Sequence, residues 1–114
     1  MKRGIDVSDT LAQVQALARR DSVRISAHGY DELAEDDIFV EELLAGVDTA
    51  QVVEDYPDAA HGSCVLVLQA DRDGRPIHVV WGIPRGRPEP ATLVTAYRPD
   101  PSRWSSDFMR RKKP

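Results

Sequence analysis

The chain has a single cysteine, Cys64, in 114 residues, so no intramolecular disulfide can form and a reducing, cytoplasmic setting is expected. No apolar run approaches the roughly 18 residues of a membrane span. The opening Met1-Lys2-Arg3-Gly4-Ile5-Asp6 is basic but has no apolar stretch behind it, so no signal peptide is expected. Aromatic residues make up 6%, and the expected strands carry no aromatic pair of the kind an RNA-recognition motif uses for stacking, which makes a plain RNA-binding fold the weaker reading. There is no phosphate loop, nucleophile elbow, His-Glu-x-x-His helix or CxxC pair. Three histidines and one cysteine lie too far apart for zinc-ligand spacing, so neither metal nor cofactor is expected. Basic residues are missing altogether from Asp31 to Asp58, a stretch that holds eleven acids.

What is present reads as one domain. Hydrophobic content of 41% and charged content of 30% are globular values, and a chain of this length can bury a core without disulfides or metal. The net charge of −4 conceals a division, because six arginines lie between Arg72 and Arg103 against Asp73, Glu89 and Asp100. The acidic half repels nucleic acid and suits a basic partner, whereas the basic half and the tail Arg110-Arg111-Lys112-Lys113 can attract it.

The periodicity predicts three helices followed by strands. Leu11, Val14, Leu17 and Ala18 share one face of a helix over Thr10 to Arg20, with Ser8, Asp9 or Thr10 as cap. Ser26 can cap a second helix running to about Glu35, with Tyr30, Leu33 and Ala34 on its apolar side. Asp36 or Asp37 can cap a third, ending at Gly46 as a C′ glycine. The period then changes. Ala50 to Tyr56, Ser63 to Ala70, Ile77 to Ile83 and Thr92 to Arg98 read as strands, with Asp71 to Pro76 a hairpin turn centred on Asp73-Gly74. Their connections are too short for parallel crossovers. The expected fold is therefore α+β: three N-terminal helices on a four-stranded antiparallel meander. Ser102 to Met109 reads as a short helix carrying Trp104 and Phe108 onto the body, and 110–114 as a frayed end.

Chemistry-bearing residues are scattered. His28 opens the second helix, where the positive helix end favours neutral imidazole, the form a general base needs. His78 alternates out of the Ile77-Val79-Trp81-Ile83 face and so points to the opposite side of the sheet, as a site residue or a half-buried, hydrogen-bonded one. Thr95 and Tyr97 share a face of the last strand. Arg98 at its end can fork onto a phosphate or form a salt bridge, and Tyr97 can stack on a base, donate a proton or sit in the core. Arg85 and Arg87 form a basic loop beside Trp81, His61 is a turn residue, and Cys64 is a core one. The two histidines meet only if the second helix starts at the sheet edge.

Four segments, in order, carry a resemblance: Arg24-Ile25-Ser26-Ala27-His28, Val52-Val53-Glu54-Asp55-Tyr56-Pro57, Gly74-Arg75-Pro76-Ile77-His78-Val79-Val80 and Leu93-Val94-Thr95-Ala96-Tyr97-Arg98-Pro99. Together they resemble the domain of unknown function 4258 family over about residues 23–104, leaving 1–22 as an N-terminal helix and 105–114 as a basic tail. Such domains are similar to bacterial RelE/ParE-type toxins, helix-plus-sheet (BECR-like) proteins that are in several cases ribonucleases encoded beside an antitoxin. The resemblance implies RNA as substrate, an antitoxin as partner, and metal-independent cleavage by attack of the ribose 2′-OH. His28 and His78, with Tyr97, would be acid and base; Arg98 would stabilise the phosphorane; Thr95 would stand beside them, and Tyr56 would contact substrate. Outside the resemblance, the charge of Arg85 and Arg87 makes their loop an RNA substrate contact or a solvated loop. One position departs from the pattern. The family carries an arginine in the helix after His28, and Tyr30 to Asp36 contains none. The alternative is a non-catalytic interaction module whose acidic face takes a basic partner.

Overall fold

The structure is a computed structural model that describes residues 8–113. Ser8 caps α1 (Asp9–Arg19) by accepting a hydrogen bond from the Leu11 amide at 3.1 Å. The Leu11, Val14 and Leu17 stripe is buried as its spacing predicts. The chain reverses through Asp21, at φ 59°, into β1 (Val23–Ile25). Ser26 then caps α2 (Ala27–Glu35), accepting from the Gly29 amide at 3.0 Å. Gly29 permits a close approach, since a Cβ there would lie 3.3 Å from both Ile25 Cγ2 and Ser26 Oγ.

The cap of α3 (Val40–Gly46) is neither Asp36 nor Asp37 but Phe39, which makes no capping hydrogen bond. Asp36 instead closes α2, and Asp37 adopts φ 54° in the link. Gly46 ends α3 without the left-handed C′ geometry; its φ is −91° and the chain runs on into a 3₁₀ turn, Val47–Thr49. What Gly46 supplies is space, because a Cβ there would come within 3.1 Å of Gln69 Nε2.

β2 (Gln51–Tyr56), β3 (Cys64–Ala70), β4 (Pro76–Gly82) and β5 (Ala91–Tyr97) form the expected antiparallel run. The sheet nonetheless has five strands and is mixed, in the order β1-β5-β4-β3-β2, with β1 parallel to β5. This corrects the four-stranded antiparallel meander. The short-connection argument holds between consecutive strands, but β1 and β5 are separated by most of the chain, so a parallel pairing is open to them. Three residues between two helices are also too few for alternation to register.

The helices cover one face, where Leu33, Leu43 and Val47 join the α1 stripe over Val65, Val67, Ile77, Val79, Trp81 and Leu93. One polar group is built into this layer. Buried Gln69 accepts from Trp81 Nε1 at 3.0 Å and donates to the Leu43 carbonyl at 2.9 Å, tying α3 to the sheet. The hairpin turn is organised by Asp71, whose carboxylate accepts from the amides of Asp73 and Arg75, both at 2.9 Å. Gly74 follows at φ 80°.

The C-terminal segment covers the part of the other face around His78, and it is not a helix. Ser105 and Asp107 bind nearby main chain (Met109 N to Asp107 Oδ1 at 3.1 Å, Arg110 N to Ser105 Oγ at 3.1 Å), the competition that disfavours helix at these residue types. Nor does 110–113 fray: Arg111 bridges to Trp104 and the Lys112 amide donates to the Arg103 carbonyl at 2.9 Å. Among the described residues no helix is long and apolar enough to cross a membrane.

We expect Gln69→Leu to destabilise the domain by about 2–4 kcal/mol, since it strands both the Trp81 N–H and the Leu43 carbonyl in the core. Urea denaturation measures this directly, and an unchanged midpoint would remove the bridge from the account of stability.

Candidate functional site

His78 occupies the centre of the sheet with no exposed surface, and the register sets it directly opposite Tyr97. Its Nε2 lies 2.8 Å from the Phe108 carbonyl, which can only accept, so Nε2 carries the proton. Nδ1 therefore presents a lone pair to the Tyr97 hydroxyl at 3.3 Å. Trp104, 4% exposed, stands edge-on to the imidazole with centroids 4.4 Å apart, and Tyr97 does the same at 5.4 Å. Burial lowers the pKa of His78 below the ordinary 6.5 and outweighs the Phe108 hydrogen bond, which raises it. Burial likewise pushes Tyr97 up.

A clamp holds this cover down. Arg111 reaches Glu54 of β2 with Nε and Nη2, at 2.9 and 3.0 Å, and its guanidinium lies 4.7 Å from the Trp104 ring centroid. Tyr56 donates its hydroxyl to the same carboxylate. The Arg111 hydrogen bond holds Glu54 below the usual carboxylate range, and the Glu54 hydrogen bond raises Tyr56.

His28 belongs to a different group. The second helix does start at the sheet edge, directly after β1, yet His28 points outward with a side chain 80% exposed. Its Nε2 lies 3.3 Å from Glu32, and Glu32 also accepts from Thr95 Oγ1 at 2.9 Å. A bulge at Val94, opposite Val80/Trp81, breaks the alternation of β5 between Leu93 and Thr95. Beyond the bulge Thr95 and Tyr97 pair regularly with Val80 and His78 and share a face, as their spacing predicts; Thr95 bonds to Glu32 of α2 and Tyr97 to His78. The structure brings His28 together with Thr95 through Glu32, and His78 together with Tyr97; no hydrogen bond or ring contact joins the two sets.

Arg98 is a structural tie. It pairs with buried Asp71 at 2.9 Å, its side chain also donates to the carbonyls of Asp36, Asp37 and Pro76, and its amide donates to Asp36 Oδ2 at 3.2 Å. A guanidinium on carbonyls at the end of α2 is well placed on the helix dipole. The Arg75 and Asp73 amides, with Arg98, pull Asp71 down to a pKa of about 2. Arg85 donates to the Ala60 carbonyl at 3.1 Å, while Arg87 is exposed. Tyr56 is half exposed at the end of β2, and Cys64 is half-buried with its thiol pKa raised by burial. The sequence reading missed Glu32, Glu54, Arg111 and the role of Trp104. His28 and Glu32 stand four apart on a helix, a signal that was available. The Arg111–Glu54 pair spans 57 positions and left none.

The geometry defines an α+β domain with a mixed sheet covered by helices on one face and in part by a clamped C-terminal segment on the other, which seals a buried histidine against a half-buried tyrosine. The chain belongs to the family described as a domain of unknown function (DUF4258), whose model matches residues 25–98. No curated protein and no solved structure matches it. Among the described residues no group of three or more His, Cys, Asp or Glu is arranged to hold a metal ion.

Two predictions concern the seal. Trp104→Ala should cost about 3–5 kcal/mol and open the His78 ring to solvent, visible as faster imidazole N–H exchange by NMR. A folded pKa below 6.5 means the unfolded chain binds the proton more readily. The stabilisation is thus complete above about pH 6.5 and declines as pH falls below it. Asp71 works in a lower window, its contribution being lost between about 3.8 and about 2. Denaturation from pH 8 to pH 5 should show stability falling in wild type and a flatter profile in His78→Gln.

Proposed function

We propose that this domain is a non-catalytic interaction module whose acidic helical face takes a basic partner. The observation that supports it is the surface of α2 and α3. Asp31, Glu35 and Glu41 are exposed there, and none forms an ion pair among the described residues. Four arginines are engaged elsewhere, Arg98 with Asp71, Arg72 with Glu42, Arg19 with Asp48 and Arg111 with Glu54. Such a surface steers a cationic partner and sets orientation more than it supplies affinity. The charge-reversed triple variant Asp31→Lys, Glu35→Lys, Glu41→Lys tests this. It should retain the fold and lose the proteins that co-purify with wild type from the native host at low salt. Identical co-purification by both would remove the reading.

A second reading, the metal-independent RNA endonuclease implied by the RelE/ParE-type resemblance, is favoured by one observation, the hydrogen-bonded His78–Tyr97 pair on neighbouring strands. It requires the C-terminal cover to lift, because RNA cannot reach a ring with no exposed surface. On this reading Trp104→Ala cleaves single-stranded or ribosome-bound RNA faster than wild type, and Trp104→Ala combined with His78→Ala does not.

A further inference from the structure

The helical layer carries a feature that neither the core nor helix capping uses. α2 and the link into α3 enclose an open groove of about 520 Å³, floored by Leu33 and Ile38 and flanked by Tyr30 and Phe39. Tyr30 is 53% exposed and Phe39 57%, both large apolar side chains in the same groove. Phe39 occupies the N-cap of α3 without making a capping bond. Serine, threonine or aspartate there is worth about 1 kcal/mol over an apolar residue, so Phe39 weakens the helix start while leaving its ring in water. Asp37 and Glu41 line the same groove, and exposed Asp31 and Glu35 follow Tyr30 and Ala34 on α2.

We infer that this groove is the seat of a basic, amphipathic segment of a partner polypeptide, whose apolar side chains enter between Tyr30 and Phe39 while its lysines or arginines meet Asp37, Glu41 and Asp31. This deepens the acidic-face reading and rests on it. Charge decides the occupant. From Asp31 to Asp58 the chain offers no Lys or Arg, so a nucleic acid or an anionic membrane is repelled. A second copy docking through the same face would bring two acidic rims together, which is also repulsive. An apolar stripe edged with cations satisfies both the aromatics and the rim, in the helix-in-groove mode.

The probe is a synthetic peptide of about 15 residues, long enough to form a helix on binding. It carries leucines at i, i+4 and i+7 and lysine or arginine on the other face. Two controls accompany it: a scrambled peptide of the same composition, and one with glutamate in place of the basic residues. Binding to the full chain is measured by calorimetry and located by NMR shift changes. The basic amphipathic peptide should bind at least about tenfold tighter than either control, a difference of about 1.4 kcal/mol. Its shift changes should concentrate on residues 30–41. Phe39→Ser, which supplies a cap and so keeps α3, and Tyr30→Ser should each weaken it by about tenfold. Equal affinity for the ordered and scrambled peptides, or no loss in Phe39→Ser, overturns the groove. The acidic-face reading then still stands if Glu41→Lys weakens both basic peptides, and falls with it if Glu41→Lys weakens neither. Equal binding of the glutamate peptide overturns the charge argument. Concentration-dependent dimerisation abolished by Phe39→Ser would make a second copy the occupant and overturn the inference.

Discussion

A sheet whose central strands are apolar on both sides has to be covered twice, and the rest of this molecule follows from that. β3 runs Cys64-Val65-Leu66-Val67-Leu68, so Val65 and Val67 face the helices while Leu66 is buried beneath the opposite layer. Three short helices supply the first cover. The second is an irregular segment of few apolar residues, fixed by Trp104, by a cation on Glu54 and by a carbonyl on His78. A histidine beneath such a cover is tolerable only if both ring nitrogens are satisfied, because an unpaired buried polar group costs on the order of 1–3 kcal/mol. Tyr97 on one side and the Phe108 carbonyl on the other meet that condition, which is why a mid-strand polar residue can be wholly buried.

The same logic disposes of the arginines. In sequence the basic and acidic halves look separate; in the fold the arginines reach across to specific carboxylates, as Arg72 does to Glu42 and Arg111 to Glu54. Pairs exposed on both sides, such as Arg19–Asp48 and Arg20–Glu89, stabilise little. Arg98 differs, because its partner Asp71 is 4% exposed and already holds two amides. What this pairing leaves over is a surplus of negative charge on α2 and α3, so the charge asymmetry of the chain persists in three dimensions as a property of one layer.

The parts legible in the sequence were those set by local periodicity and local chemistry. The Leu11-Val14-Leu17 stripe, the Ser26 cap and the alternation of Ile77, Val79 and Trp81 were each readable from a few neighbouring residues. The displacement of His78 onto the opposite face followed from the same alternation. β1 was not legible, since three residues carry no period and its partner lies at the far end of the chain. The C-terminal segment was misread because Trp104 and Phe108 at helical spacing outweighed Ser105 and Asp107, whose side chains take the local main chain. Thr95 and Tyr97 do share a face, as alternation predicts, because the bulge in β5 lies before Thr95; alternation alone does not show that each takes a different partner, Glu32 and His78. For the candidate site, the residue types stood out but their company did not, because hydrogen-bond partners 19 to 63 positions apart leave no local trace.

Arg98 links the covered sheet to the open groove. Its side chain and amide hold Asp36 and the carbonyls of Asp36 and Asp37, the start of the link that continues through Ile38 to Phe39. Asp37 sits at φ 54°, a conformation most residues adopt only when their surroundings impose it. Ile38, the next residue, is 4% exposed, its amide bonded to the Leu33 carbonyl at 2.9 Å. The link is thus pinned at each step before Phe39 emerges into solvent. A groove whose wall is fixed in advance loses less conformational freedom when occupied, and that saving favours affinity without a further contact. Arg98, which by residue type suggested a phosphate ligand, acts in this structure by fixing the wall of the acidic groove.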